Sequence, residues 1–97
     1  MQRVELDVRR FEFDLKNEAH LAEHFARPED LDAVLYNQPR FFTNLPGREA
    51  PYVMIGPDSA GQFFFAAIVP TGEEGVWYPV TAWPMNSRRA MRIYEPR

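Results

Sequence analysis

The chain reads as a single α+β domain over residues 1–97. Three observations predict it: an alternating apolar segment at the start, two amphipathic stretches after it, and short apolar runs parted by proline and glycine from residue 40 onward. Val4, Leu6 and Val8 alternate with Arg3, Glu5 and Asp7, the period-2 pattern of a half-buried strand. Phe11 and Phe13 continue it after a one-residue slip at Arg9–Arg10, as a bulge would produce. Asn17 can cap a first helix with Leu21, Ala22 and Phe25 as its apolar stripe. Pro28 stands where the first turn of a second helix begins, with Leu31, Val34 and Leu35 facing inward. Asn37 and Pro39 stop that helix, because proline drives its predecessor out of the α region.

Residues 41–45, 52–55, 62–69 and 76–81 then predict four strands, parted by Pro46–Gly47, by Gly56–Pro57–Asp58 with Gly61, and by Pro70–Thr71–Gly72 with Gly75. Connections this short force an antiparallel meander, which the N-terminal strand extends to five strands if it joins. Residues 63–69 are apolar on both faces, so Phe64, Ala66 and Ile68 should be covered on one side and Phe63, Phe65, Ala67 and Val69 on the other. Pro84 should end the last strand, with Asn86 or Ser87 capping a short final helix. The two N-terminal helices should pack on one face of the sheet.

Composition narrows function by exclusion. The chain has 97 residues, 45% of them apolar and 14% aromatic, enough for one core of the usual range of about 50–150 residues and too few for two. Cysteine is absent, which excludes disulfides, thiolate metal sites and a cysteine nucleophile and fits a cytoplasmic address. The first ten residues lack the pattern of a secretory leader, and the longest apolar run falls far short of the roughly 20 residues needed to span a bilayer, so no membrane is expected. The net charge of −3 hides an asymmetry. Residues 1–32 hold nine acids against five bases, whereas residues 86–97 hold Arg88, Arg89, Arg92 and Arg97 against Glu95 alone.

Residues 20–24 spell H-x-x-E-H, the inverzincin zinc signature, in which two histidines one helical turn apart hold a metal. Those enzymes need a distant third ligand, and the chain offers no cysteine and no third histidine for it, so no metal is expected. The glycines match no phosphate-cradling loop, so no nucleotide cofactor is expected either.

Lys16, His20 and His24 recur at i, i+4 on one helical face, where they can serve acid/base chemistry near neutral pH. The same spacing fits surface histidines paired with Glu18 or Glu23. Arg88, Arg89 and Arg92 recur at helical spacing after a capped start and suit RNA phosphates, with Trp83 and Tyr94 nearby for stacking an unpaired base. A solvated terminus and ordinary aromatic packing fit those residues too.

The motifs together resemble one family. Residues 11–16 (FEFDLK) resemble the F-E-W-D-x-x-K opening of BrnT-like toxins, a branch of the RelE/ParE toxin superfamily, and residues 20–24 followed by 28–31 resemble their helix–helix segment. Residues 52–56 (YVMIG) with Gly61 are similar to their R-Y-x-x-I-G-x-x-x-G-R, and residues 80–84 (VTAWP) with 88–95 to I-S-A-R-x-A with R-R-x-x-Y-E. The arginine of I-S-A-R is here Trp83, the arginine of G-R after the central turn is here Gln62, and the glycine after the paired histidine is here Phe25. The resemblance implies a RelE-like fold and the toxin-like component of a toxin–antitoxin system: a metal-independent endoribonuclease that inhibits translation, needs no cofactor and is neutralised by a ribbon-helix-helix antitoxin. It places Lys16 and His24 at toxin positions, with His20 where the family often has asparagine, and Arg88 and Arg89 in the basic segment. Homo-oligomerisation stays open. The alternative is a catalytically inactive RelE-fold module that only binds a partner.

Overall fold

The computed structural model describes residues 1–95, so Arg97 of the basic C-terminal segment lies outside it. It is mixed α+β. The elements are β1 (Arg3–Val4), β2 (Arg10–Phe11), α1 (Leu15–Glu23), α2 (Pro28–Leu35), β3 (Arg40–Thr43), β4 (Tyr52–Pro57), β5 (Phe63–Pro70), β6 (Val76–Met85) and α3 (Ser87–Tyr94). The strands form one six-stranded sheet in the order β1-β3-β4-β5-β6-β2. No helix among the described residues is long and apolar enough to cross a membrane.

The meander is there: β3 to β6 pair consecutively and antiparallel. β6 runs through Pro84 to Met85, past the end that proline was expected to impose. Only Val76 and Trp77 of β6 pair with β2, so β6 is open on that side around Pro84, the setting in which a strand tolerates proline.

The single N-terminal strand is corrected to two, and with it the strand count. β1 pairs antiparallel with β3 at one edge of the sheet, and β2 pairs parallel with β6 at the other. The segment between them crosses one face, with Leu6 and Val8 packed on the core and the Trp77 indole N–H donating to the Asp7 carbonyl at 2.9 Å. The alternating pattern identified the side chains that turn inward; it carried no information about which backbone pairs with theirs.

The core has two layers. Phe64, Ala66 and Ile68 of β5, with Met54 and Ala82, meet Leu21 of α1, Ala26, and Leu31 and Val34 of α2. On the opposite face Phe63, Val53, Ile55 and Phe42 meet Ala90 and Tyr94 of α3. Helices of nine and eight residues are marginal alone, so burial holds them. Leu21, Leu31 and Val34 are fully buried and contribute roughly 1.5–3 kcal/mol each. Gly56 lets α2 approach β4: an added Cβ would stand 3.0 Å from Val34 Cγ1. Of the second set on β5, Phe63 and Ala67 are buried while Phe65 and Val69 are half-buried, because α3 covers only part of that face.

The ends of α1 differ from expectation. Asp14 is the N-cap and Asn17 the third helical residue, each side chain accepting from the other's backbone N–H in a capping box. Asp14's carboxyl is held below the ordinary aspartate value of 3.8, first by the Asn17 backbone N–H and also by the Tyr78 hydroxyl, against the opposing effect of burial. A depressed folded-state value stabilises the protein above the ordinary value, and this contribution disappears as pH falls through the depressed one. Asp14→Asn keeps a capping oxygen but cannot ionise. The stability difference between wild type and this variant should therefore shrink on acidification below 3.8 in thermal melts across pH; a constant difference would refute the linkage.

At the other end, Phe25 and Ala22 are exposed, and Ala26 is buried in their place. His24 caps the helix and Phe25 turns left-handed at φ 65°, while Ala26 N–H reaches back to the Leu21 carbonyl and Phe25 N–H to that of Ala22. This is a Schellman motif with phenylalanine where glycine is favoured. The Phe25 side chain is 84% exposed and offers little burial in return for the left-handed backbone. Phe25→Gly should raise stability by roughly 0.5–1 kcal/mol once the greater freedom of glycine in the unfolded chain is subtracted. A urea midpoint that falls at constant m-value would refute it.

Candidate functional site

The part of the sheet that α3 leaves open forms a concavity of about 820 Å³, within the usual size range of ligand pockets. Phe65 and Ala67 of β5 and Trp83 of β6 line its floor, Arg89 and Ile93 come from α3, Arg48 from the β3–β4 loop, and His20 from α1. α1 reaches this face because it packs along the open half of β6. The Asn17 amide donates to the Pro79 carbonyl at 3.1 Å, and the Tyr78 hydroxyl donates to Asp14 at 3.0 Å. Burial first, and then Asp14 as a charged acceptor, raises the pKa of Tyr78 and keeps it a donor.

Of the residues expected at the site, His20, Trp83 and Arg89 line this one concavity. Among the described residues, Lys16, His24, Arg88 and Arg92 are outside its lining. His24 lies close by, its ring 4.9 Å from that of His20 and 6.4 Å from that of Trp83. The three ligand atoms of His20, Glu23 and His24 lie within 4.8 Å of one another. Asn86 is the cap of α3, its side-chain oxygen accepting from the Arg88 and Arg89 N–H groups at 3.0 and 3.2 Å. α3 buries Ala90 and Tyr94, one turn apart, and so turns Arg88, Arg89 and Arg92 outward.

Trp83 is 38% exposed and stacks on Phe65 at 4.3 Å and 13°. Phe65 covers one ring face and the His24 ring approaches Trp83 edge-on at 6.4 Å, so the exposed part of the indole lies between the histidines and the floor of the concavity. Tyr94 is corrected as a stacking platform. It is 8% exposed, meets Phe63 edge-on at 5.3 Å, lies under the Arg40 guanidinium at 4.5 Å, and donates its hydroxyl to the Gln38 carbonyl. Gln62 donates its amide to the Phe63 and Met85 carbonyls at 2.9 and 3.0 Å, joining β5 to β6. Arg48 is the lining cation that sequence reasoning missed. It follows the Pro46–Gly47 turn, where no periodicity assigns a direction to a side chain.

No family model, curated protein or solved structure matches the chain.

Proposed function

We propose that this protein is a RelE-like, BrnT-like toxin component: a metal-independent endoribonuclease that cleaves RNA in the cytoplasm, inhibits translation and is neutralised by a ribbon-helix-helix antitoxin. The observation that carries the reading is that His20 of α1, Trp83 of β6 and Arg89 of α3, far apart in sequence, line one concavity together with Arg48. Those residue types supply what cleavage of a ribose–phosphate backbone requires. An imidazole takes the proton from the 2′-hydroxyl as its oxygen attacks phosphorus; the bond to the 5′-oxygen breaks, leaving a 2′,3′-cyclic phosphate, and the 5′-oxygen takes up a proton from water. Guanidinium groups stabilise the charge that builds on the phosphoryl oxygens. The exposed part of the Trp83 indole offers an aromatic contact for an unpaired base. His24 adds a second imidazole beside His20, Lys16 one turn earlier supplies positive charge, and Arg88 and Arg92 extend that charge along the outer side of α3.

A second reading, an inactive partner-binding module, is favoured by Gln62 and Trp83. Both stand where the family carries arginine, and here one joins two strands while the other stacks on Phe65. Expression without antitoxin separates the two: the nuclease arrests growth and cleaves total RNA, and the module does neither.

A further inference from the structure

We propose that His20, Glu23 and His24 form an exchangeable site for a divalent first-row transition ion of the zinc, nickel and copper class. His20 Nδ1 and Glu23 Oε2 are 3.8 Å apart, and one ligand atom from each of the three side chains falls within 4.8 Å of the others. An ion with nitrogen and oxygen ligands at about 2.0–2.1 Å in tetrahedral geometry sets them about 3.4 Å apart. Closure therefore needs small side-chain rotations and no backbone movement. The frame is rigid, since Leu21, between His20 and Glu23 in sequence, is fully buried and anchors this turn of α1. Two imidazoles and one carboxylate select borderline ions over magnesium or calcium, which take all-oxygen sets. His24 is also the C-cap of α1, where the negative end of the helix dipole favours a cation.

The metal of a zinc hydrolase needs a distant third ligand. Glu23 serves here as a local third ligand, which suits an ion that comes and goes and keeps a position open to solvent. His20 lines the concavity and His24 lies beside Trp83, so a bound ion occupies its rim. Binding stands whether or not the chain cleaves RNA. One consequence rests on the ribonuclease reading: the ion takes the imidazole lone pair that proton transfer needs, so zinc inhibits cleavage.

The test is calorimetric titration of zinc chloride into the tag-free full chain near pH 7.4, paralleled by tryptophan fluorescence with copper as quencher. The expected result is one equivalent bound, no response to millimolar magnesium, and loss of affinity by at least about tenfold in His24→Gln and in His20→Gln, since removal of a ligand costs no less than removal of its supporting contact. Circular dichroism on each variant checks that the fold is intact. Absence of saturable zinc binding, or affinity unchanged in both histidine variants, would overturn the site. Zinc binding by a chain that cleaves no RNA would retain the site and remove the ribonuclease reading. Cleavage unaffected by bound zinc would remove only the inhibitory consequence.

Discussion

Arg89→Ala is expected to lower RNA cleavage by roughly 100-fold to 1,000-fold, the usual cost of deleting one donor from a site that stabilises transition-state charge. Expression of this variant without antitoxin should accordingly permit growth where the wild type arrests it. Arg88→Ala should have a much smaller effect, because Arg88 lies outside the lining of the concavity while its neighbour faces it. Removing both should abolish toxicity. His20→Ala should cost roughly 100-fold to 10,000-fold as the general base, and His24→Ala should act similarly only if it shares that proton transfer. These side chains are exposed, so melting should change by no more than about 1 kcal/mol in equivalent stability. Arg88 and Arg89 stand at the positive end of the α3 dipole, and their removal should if anything favour the helix. Equal losses at Arg88 and Arg89 would contradict the geometric assignment. A wild type that neither arrests growth nor cleaves total RNA in vitro would contradict the nuclease itself, leaving Trp83 and Gln62 to mark its loss.

The largest stability effect is expected at Asn17, a buried polar side chain that joins three segments. Its oxygen accepts from Asp14 N–H at 2.8 Å, and its amide donates to the Glu12 and Pro79 carbonyls at 3.0 and 3.1 Å. Asn17→Leu keeps the branched heavy-atom shape but leaves all three groups without their partner, at about 1–3 kcal/mol each where they are buried. A loss of about 3 kcal/mol or more follows, a large fraction of the roughly 5–15 kcal/mol that holds a domain together. For a chain of this size, that lowers the melting temperature by more than about 10 °C. Asn17→Asp keeps the acceptor and loses both donors, so it should also destabilise, through the Glu12 and Pro79 carbonyls. A leucine variant within about 1 kcal/mol of wild type would show that these bonds are replaced by water at no cost.

Asn17 also shows the limit of local reading. Its residue type suits a helix start, yet its burial and its bond to Pro79 depend on β6 passing alongside, 62 positions away. Phe25 fails for a related reason. Its spacing from Leu21 suits a helical stripe, but the helix ends at His24, and the left-handed turn that follows swings Phe25 out and Ala26 in.

What the sequence determined by itself was the part of the fold written in local periodicity and turn chemistry. It comprises the β3–β6 meander, parted by glycine and proline, the inward faces of α2 and β5, and the capped start of α3. The chemistry of the site was legible as residue types: imidazoles at helical spacing, clustered arginines and an indole. Tertiary structure alone decided their grouping. It separated β1 from β2 to opposite edges of the sheet, brought His20 to the concavity that Arg89 and Trp83 line, added Arg48 to it, and buried Tyr94. The physical reason is that a period of two or 3.6 residues reports only which side of an element turns inward. Which surfaces then meet depends on sheet pairing and chain crossings between distant segments, and these leave no repeat in the sequence.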